Sequence, residues 1–382
     1  MKLCFLANAG SIHAAKWANY FSRRGHEVHV ISYHAGRELD SGVFTHRLGP
    51  VWPLSMHYFL DGSDVRRLVH RLKPDLVHSH YASGYGTLGR LTRFRPRIVS
   101  VWGSDIYEFP SRSVLHRWLI KENLRGADRV CSTSQAMARE TTRYYDGPVE
   151  ITPFGIDCDQ FRPQSDAKHF SDDFVVGAVG WLLPVYGFEY LIRAFALISE
   201  RYRRQRRLRL VIVGEGYLRK SLEALCAELV LADSVNFLGQ VPNQKVSEIL
   251  NSFSVFAAPF LESSFGVSVL EASACGLPVV VSEVGGLPEV IRNGQTGFVV
   301  PPANTEAIAH ALRQLIENDD LRRDMGSAGR RFVLENYEWT ESASKMERIY
   351  ESVLSATGVS SLRQQRDFRQ DGNANLPRVR PQ

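Results

Sequence analysis

Short apolar runs alternate with segments of helical spacing along nearly all of this chain, and that alternation limits the fold more than any other feature. Lys2–Ala7, Glu27–Ser32, Asp75–His80, Arg97–Trp102 and Arg129–Ser134 read as strands, while Ile12–Arg24, Val65–Leu72 and Val114–Arg125 read as helices. Parallel strands need a crossover between them, and a helix is the usual one, so the pattern predicts parallel sheets covered on both faces. It loosens over Thr152–Asp173, where Pro153, Gly155 and Pro163 fall among Asp and Ser, and this stretch reads as a linker. Alternation then restarts, with strands at Phe174–Val179, Leu208–Val213, Val235–Leu238 and Val255–Ala258 and helices at Phe188–Arg203, Leu218–Leu229 and Gln244–Ser252. Two helices, Thr305–Glu317 and Asp320–Asn336, follow. The expected organisation is an N-terminal domain over 1–160, a C-terminal domain over 161–338 and a closing helix over 339–355. The tail, 356–382, lacks apolar periodicity and is predicted to be disordered.

Composition narrows the class. The five cysteines (Cys4, Cys131, Cys158, Cys226 and Cys275) are scattered and show no C-x-x-C spacing, which predicts reduced core thiols rather than a disulfide frame or zinc site. No apolar run approaches the ~18 residues that span a bilayer. Ala7-Asn8-Ala9 resembles a signal-cleavage site, but the apolar stretch before it is shorter than a secretory core, so a first strand and a cytoplasmic location are expected. The formal charge of +5 is clustered: Arg201 to Arg207 holds five arginines, and Arg66, Arg67, Arg71 and Lys73 precede Arg90, Arg93, Arg95 and Arg97. Such runs are either solvated helix ends or a means of attraction to an anionic membrane surface, where the protein would be peripheral. No aromatic platform or nucleic-acid module accompanies them, so nucleic acid is not an expected partner.

Residues 261–282, LESSFGVSVLEASACGLPVVVS, carry the most chemistry. Ser263 and Ser264 are good N-cap residues, and Gly266 in the expected first turn leaves amides uncovered. Free N–H groups and a partial positive charge at a helix start suit phosphate. Glu271 lies about 7–8 Å further along the axis, too far to grip the same diphosphate but suited to accept hydrogen bonds from a ribose diol. The competing reading is an ordinary amphipathic helix whose Glu271 faces water. The apolar flanks and the buried-looking strand Pro278–Ser282 weigh against it.

This stretch resembles the signature of glycosyltransferase family four, retaining enzymes of the GT-B fold: α/β, with two Rossmann-like domains facing each other across a cleft. Further matches are Gly10-Ser11-Ile12-His13 with Gly25-His26-Glu27-Val28, Asp75 to His80, Ser100 to Asp105, and Pro153 to Asp157 with Phe161 and Pro163. Gly285-Gly286 to Glu289 and Asn293 to Gly297 complete a set covering roughly residues 1–355. The resemblance implies a UDP- or GDP-sugar donor in the C-terminal half, a hydroxyl acceptor such as a growing surface glycan or lipid-linked glycan over the N-terminal half, and no cofactor. It implies donor contacts at Gly10, Ser11, Gly214, Gly216, Ser264, Phe265, Gly266, Val267 and Glu271, and places His80, Asp105, Glu262 and Ser263 as catalytic candidates; Trp181 reads, apart from the resemblance, as a donor contact that stacks on the base or a sugar.

Two departures stand out. The family signature has two Glu separated by seven residues; the second matches Glu271, but the first falls on Ser263, with Glu262 one place early. The family also carries an Arg or Lys after the first strand of the C-terminal domain and a Lys before the next Gly, whereas Val179 to Gly187 here contains no cation. A charge-assisted contact of that kind contributes about 1.5–3 kcal/mol. A partner subunit that binds a sugar nucleotide without turnover is therefore a second reading, and a nucleotide-sugar epimerase of the same architecture a third. Asp157-Cys158-Asp159 has the form of a metal-binding D-x-D but sits in the linker and reads as turn chemistry, so no metal is expected. Gly214-Glu215-Gly216 lacks the third glycine of a dinucleotide fingerprint, Arg219 standing in its place, and no G-x-S-x-G supplies a hydrolase nucleophile.

Overall fold

A computed structural model of the chain describes residues 1–36, 38–51, 56–164, 173–202 and 207–356. The disordered-tail expectation and the centre of the 201–207 run lie outside the described residues. The chain divides into two compact units, one of Met1–Thr133, Ala138–Thr152 and Ala343 onward, the other of Ser134–Met137 and Pro153–Ser342.

The first unit runs β1 (Lys2–Leu6), α1 (Ile12–Arg23), β2 (Glu27–Ser32), β3 (Val43–Arg47), α2 (His57–Leu60), α3 (Gly62–Leu72), β4 (Leu76–His80), α4 (Gly84–Thr92), β5 (Arg97–Val101), α5 (Ser104–Tyr107), α6 (Val114–Arg125), β6 (Arg129–Ser132), α7 (Gln135–Thr141) and β7 (Val149–Ile151). Its seven strands are parallel, in the order β3-β2-β1-β4-β5-β6-β7. Because successive side chains of a strand point to opposite faces, the central strand β1 feeds two cores. Cys4 and Leu6 join Val65, Val69, Tyr85 and Leu88 under α3 and α4. Phe5 meets Phe21 edge-on, with ring centroids 6.2 Å apart, and lies 5.8 Å from His78.

The second unit runs β8 (Phe174–Val179), α8 (Phe188–Tyr202), β9 (Leu208–Val213), α9 (Arg219–Glu228), β10 (Val235–Gly239), α10 (Asn243–Leu250), β11 (Val255–Ala258), α11 (Val267–Ala274), β12 (Val279–Ser282), β13 (Gly297–Val300), α12 (Thr305–Glu317) and α13 (Asp319–Asn336). Six parallel strands take the order β10-β9-β8-β11-β12-β13. Helix α8 buries Phe188, Leu191, Ile192, Phe195 and Ile198, the spacing of one helical face. The closing helix α14 (Trp339–Ala356) starts in the second unit and continues in the first. There Tyr350 is fully buried, 5.1 Å from the Phe21 ring, and shares a 2.7 Å hydrogen bond with His78 Nδ1.

Several elements escape the apolar pattern. Helix α4, GYGTLGRLT, has three glycines and poor intrinsic propensity, yet it forms because it packs closely: a Cβ on Gly89 would stand 2.3 Å from Ser79 Oγ. β3, β7, β13 and α7 are short or lie at sheet edges, where burial leaves a weak imprint on sequence. Arg97, grouped above with the surface cations, is buried instead, its backbone N–H donating to Asp128 Oδ2 at 2.7 Å. Burial lowers its pKa to about 10.

Candidate functional site

Open parallel sheets bind ligands beyond the carboxyl ends of their strands. In the second unit, four loops leaving β8, β9, β11 and β12 are tied together there by backbone hydrogen bonds. Gly180 N donates to Val213 O and Leu182 N to Glu215 O (3.0 and 2.9 Å), Leu261 N donates to Val185 O (2.7 Å), and Gly286 N donates to Ser263 O (3.1 Å). Glycines make the approach possible. A Cβ on Gly214 would lie 1.8 Å from Gly180 O, and one on Gly216 would lie 2.4 Å from Leu182 O. One on Gly285 would lie 1.8 Å from Ser263 O. Gly214 and Gly285 also hold φ of +140° and +49°, where a side chain is strained.

This arrangement brings Trp181, Gly214, Gly216, Glu262, Ser263, Ser264, Phe265, Gly266, Val267 and Glu271 to one edge of one sheet. It also corrects two expectations. The N-cap of α11 is Gly266, at φ +112°, and not either serine. The positive φ turns the chain just before the helix, while the carbonyls of Ser263 and Ser264 are engaged elsewhere, accepting from Gly286 N and Ser134 Oγ (3.1 and 2.7 Å). The Phe265 ring is core: it is buried, 6.1 Å from Phe154 and 5.8 Å from Tyr337, so only its backbone is left to meet a ligand. Among the described residues, the first amide of α11 with a backbone partner is that of Val269, donating to Gly266 O at 3.1 Å. Glu271 is half-buried, next to the fully buried Leu270 and Ala272. Glu262 is exposed, and Trp181 is 54% exposed on the neighbouring loop.

The loop over 179–187 carries no cation. Arg219, at the start of α9, is held by Glu215 and Glu223 at 2.6 and 2.9 Å. Asp157 accepts from the amides of Asp159 and Gln160 (3.1 and 3.0 Å), which is the turn role read from its place in the linker. A contribution missed in the sequence comes from Ser134–Met137, the segment after β6 that belongs with this unit. Ser134 Oγ donates to Ser264 O, and Glu289 accepts from the amides of Gln135 and Ala136 at 2.8 and 2.6 Å.

In the first unit the ends of β1, β4 and β5 collect a different set. Asp105 is buried, its Oδ2 accepting from Ala82 N (2.7 Å) and its Oδ1 from Gly103 N and Trp102 N (2.9 and 3.2 Å). Burial raises its pKa against the pull of those hydrogen bonds. With both oxygens engaged by amides, it joins the loops after β4 and β5. His80 is buried beneath Trp102, with ring centroids 4.5 Å apart, and 4.5 Å from His78. Burial drops its pKa to about 3, so it is a neutral imidazole at physiological pH. His13, half-buried, meets Trp102 edge-on at 6.3 Å, and desolvation followed by Lys16 lowers its pKa to about 4. Gly10 and Ser11 form the turn entering α1, with Gly10 N donating to Asn8 Oδ1 at 2.9 Å. Tyr81, directly after His80, holds φ +77°, a conformation that costs a bulky residue about 1–3 kcal/mol and tends to mark functional sites. Nothing in its sequence context announces it.

Comparison with known proteins gives this geometry a lineage. Residues 160–332 match the family model for glycosyl transferases group 1, and residues 2–134 match the one for glycosyl transferase 4-like domains. The chain is 30% identical over 310 residues to the D-inositol 3-phosphate glycosyltransferase of Nocardia farcinica, spanning 73% of this chain and 67% of that protein. It is 26% identical to the N-acetyl-alpha-D-glucosaminyl L-malate synthase of Bacillus anthracis, spanning 92% and 96%. Among solved structures, sucrose-phosphate synthase from Thermosynechococcus elongatus superposes with a TM-score of 0.84 at 22% identity, covering 93% of this chain and all of that one. Anabaena HepE in complex with UDP superposes at 0.79 and 20%, covering 92% and 100%. These structures share the fold, two Rossmann-like α/β domains of the GT-B type. With both halves matched by glycosyltransferase models and relatives spanning most of its length, the chain belongs to glycosyltransferase family four.

Proposed function

We propose that this glycosyltransferase moves a hexose from a nucleotide diphosphate sugar to a hydroxyl acceptor with retention of configuration, in the assembly of a bacterial surface polysaccharide or glycolipid. One observation carries the reading. The uncapped start of α11 and the half-buried Glu271 stand on one short helix, at the edge where four glycine-shaped loops converge. Main-chain amides at Gly266 and Val267 meet the diphosphate, Glu271 accepts from the ribose hydroxyls, and Ser263 or Glu262 meets the sugar. In a front-face reaction the departing diphosphate oxygen takes the proton of the incoming hydroxyl. The protein then supplies positioning and charge stabilisation rather than a nucleophile, and no metal or cofactor. In the first unit Gly10 and Ser11 belong to the donor contacts of this reading, and His80 and Asp105 shape the acceptor side. HepE has been crystallised with UDP-glucose, and WaaG is a glycosyltransferase involved in lipopolysaccharide biosynthesis; both likenesses support the donor class and the surface-glycan setting. The location proposed is cytoplasmic, peripheral on the inner face of the membrane; among the described residues no helix is long and apolar enough to cross one.

Glu271→Gln is expected to weaken binding of UDP or GDP, whichever raises the melting temperature of the wild type, by about tenfold, or about 1.4 kcal/mol. Unchanged affinity would sink the ribose assignment. A second reading, a sugar-nucleotide-binding partner subunit without turnover, draws on the lack of cations over 179–187 and the commitment of Arg219 to two carboxylates. Nucleotide release from a panel of UDP- and GDP-sugars with hydroxyl acceptors separates the two: binding without release favours the partner subunit.

A further inference from the structure

One segment of the first unit is out of keeping in charge with the rest of the molecule. Residues 56–128 contain twelve Lys and Arg against seven Asp and Glu, an excess of five that equals the formal charge of the whole chain. The acids are drawn inward more than the bases. Asp75 and Asp105 are buried, and Asp61 accepts from Tyr33 Oη at 2.9 Å. Of the twelve cations only Arg97 is buried.

The outer side of this layer is also apolar. Helix α6 turns Leu119, Ile120, Asn123 and Leu124 inward, yet Val114, Leu115 and Trp118 are 81%, 61% and 49% exposed on its other side. Met56, Phe59 and Leu60 are likewise exposed around α2. The two regions meet on α4, which packs against α2, α3 and α6. Near its end Arg90 lies 5.8 Å over the Trp118 ring. Just beyond, Leu91 and Arg93 line a cleft of about 630 Å³ with Phe59, Arg66, Arg67 and His70. Arg67 pairs with Asp64, but among the described residues Arg66 and Arg93 have no acidic partner within salt-bridge distance.

We propose that this face docks on an anionic phospholipid bilayer. The cleft seats a lipid phosphate against Arg66 and Arg93, while Trp118, Leu115 and Val114 enter the interfacial layer. Charge complementarity selects the partner: unpaired guanidinium groups want a phosphate, and outward Trp, Leu and Val beside them want the acyl boundary, so the match is an amphiphile with an anionic head. The inference rests on the glycosyltransferase reading only for its purpose, bringing the enzyme to a lipid-borne acceptor.

The test is flotation of the full chain with phosphatidylcholine vesicles, with and without phosphatidylglycerol. Binding is expected only with phosphatidylglycerol and is lost at high salt. Leu115→Ser with Trp118→Ser, and separately Arg66→Gln with Arg93→Gln, each weaken it by about tenfold or more. Arg201→Gln with Arg207→Gln in the second unit leaves it unchanged, and circular dichroism shows each variant folded. Absent flotation, equal binding to pure phosphatidylcholine, or loss through the second-unit variant instead overturns the proposal. So does a wild-type dimer broken by Leu115→Ser with Trp118→Ser, which would give the face to a second copy. Melting shifts with UDP and GDP sugars on the same samples keep the readings apart: flotation without a shift sinks only the enzyme reading, and a shift without flotation sinks only this one.

Discussion

At the carboxyl edge of the first sheet, side chains fill the space: His13 and His80 pack on Trp102, and Asp105 holds three amides from two loops. At the same edge of the second sheet the corresponding loops are pressed backbone to backbone by Gly214, Gly216 and Gly285, and the nearest arginine on α9 is held by two glutamates. The architecture is shared, but the recognition chemistry is not. A main-chain surface presents fixed N–H groups suited to an invariant diphosphate. A side-chain surface can be rewritten by substitution, which suits whatever varies among acceptors.

Three measurements would break or sharpen that contrast. The largest effect is expected from Gly285→Ala, whose Cβ has no room beside Ser263 O at φ +49°. It should destabilise the second unit by about 3 kcal/mol or more and abolish nucleotide-dependent melting shifts. Gly294→Ala, at φ +76° in open space, should cost only about 1 kcal/mol. Similar effects from both would mean that backbone packing is not what builds this edge of the second sheet. Next comes Asp105→Asn, which turns one acceptor into a donor facing an amide and should cost about 2 kcal/mol in urea unfolding. Nucleotide affinity should hold within about twofold; if it collapses, the two edges are not separable.

The smallest effect, when read between pH 7 and pH 6, is a slope in stability. His78 and His80 are buried with lowered pKa values, in both cases first through desolvation, so the unfolded chain binds more protons than the folded one below the ordinary histidine range. Stability is therefore fully present above about pH 6.5 and falls on acidification, by up to about 1.4 kcal/mol per pH unit for each histidine, until the folded-state pKa is reached, about 3 for His80. Urea midpoints at successive pH values, with His80→Phe flattening the slope, would check it. A slope unchanged in that variant would remove His80 from the account.

Much of this was legible in the sequence, for physical reasons. Buried parallel strands leave apolar runs, which is why β1, β2, β4, β5, β8, β9 and β11 are readable. Gly214, Gly216, Gly266 and Gly285 stand out in the sequence as parts of motifs, and the structure adds that backbone lies where their Cβ atoms would be at Gly214, Gly216 and Gly285. What hides is whatever tertiary packing decides. Ser263 and Ser264 look like caps, but Gly266, with its positive φ, takes that place. Asp105 looks like a ligand-facing carboxylate until its three amide partners are seen. Arg97 reads as one more surface cation because charge is local and burial is not. Val114, Leu115 and Trp118 lie in a stretch readable only as helical, and the fold shows them facing water.

The hydrogen bond between His78 and Tyr350 joins residues 272 positions apart in the sequence. A ribosome makes the entire first sheet long before it makes the tyrosine that fills the gap beside Phe21. Until α14 emerges, the nascent first unit lacks the ring that packs on Phe21 and bonds to His78 Nδ1. The second unit is complete by then, so translation order and folding order diverge, and clipping the chain ahead of residue 343 should damage the half that was synthesised first.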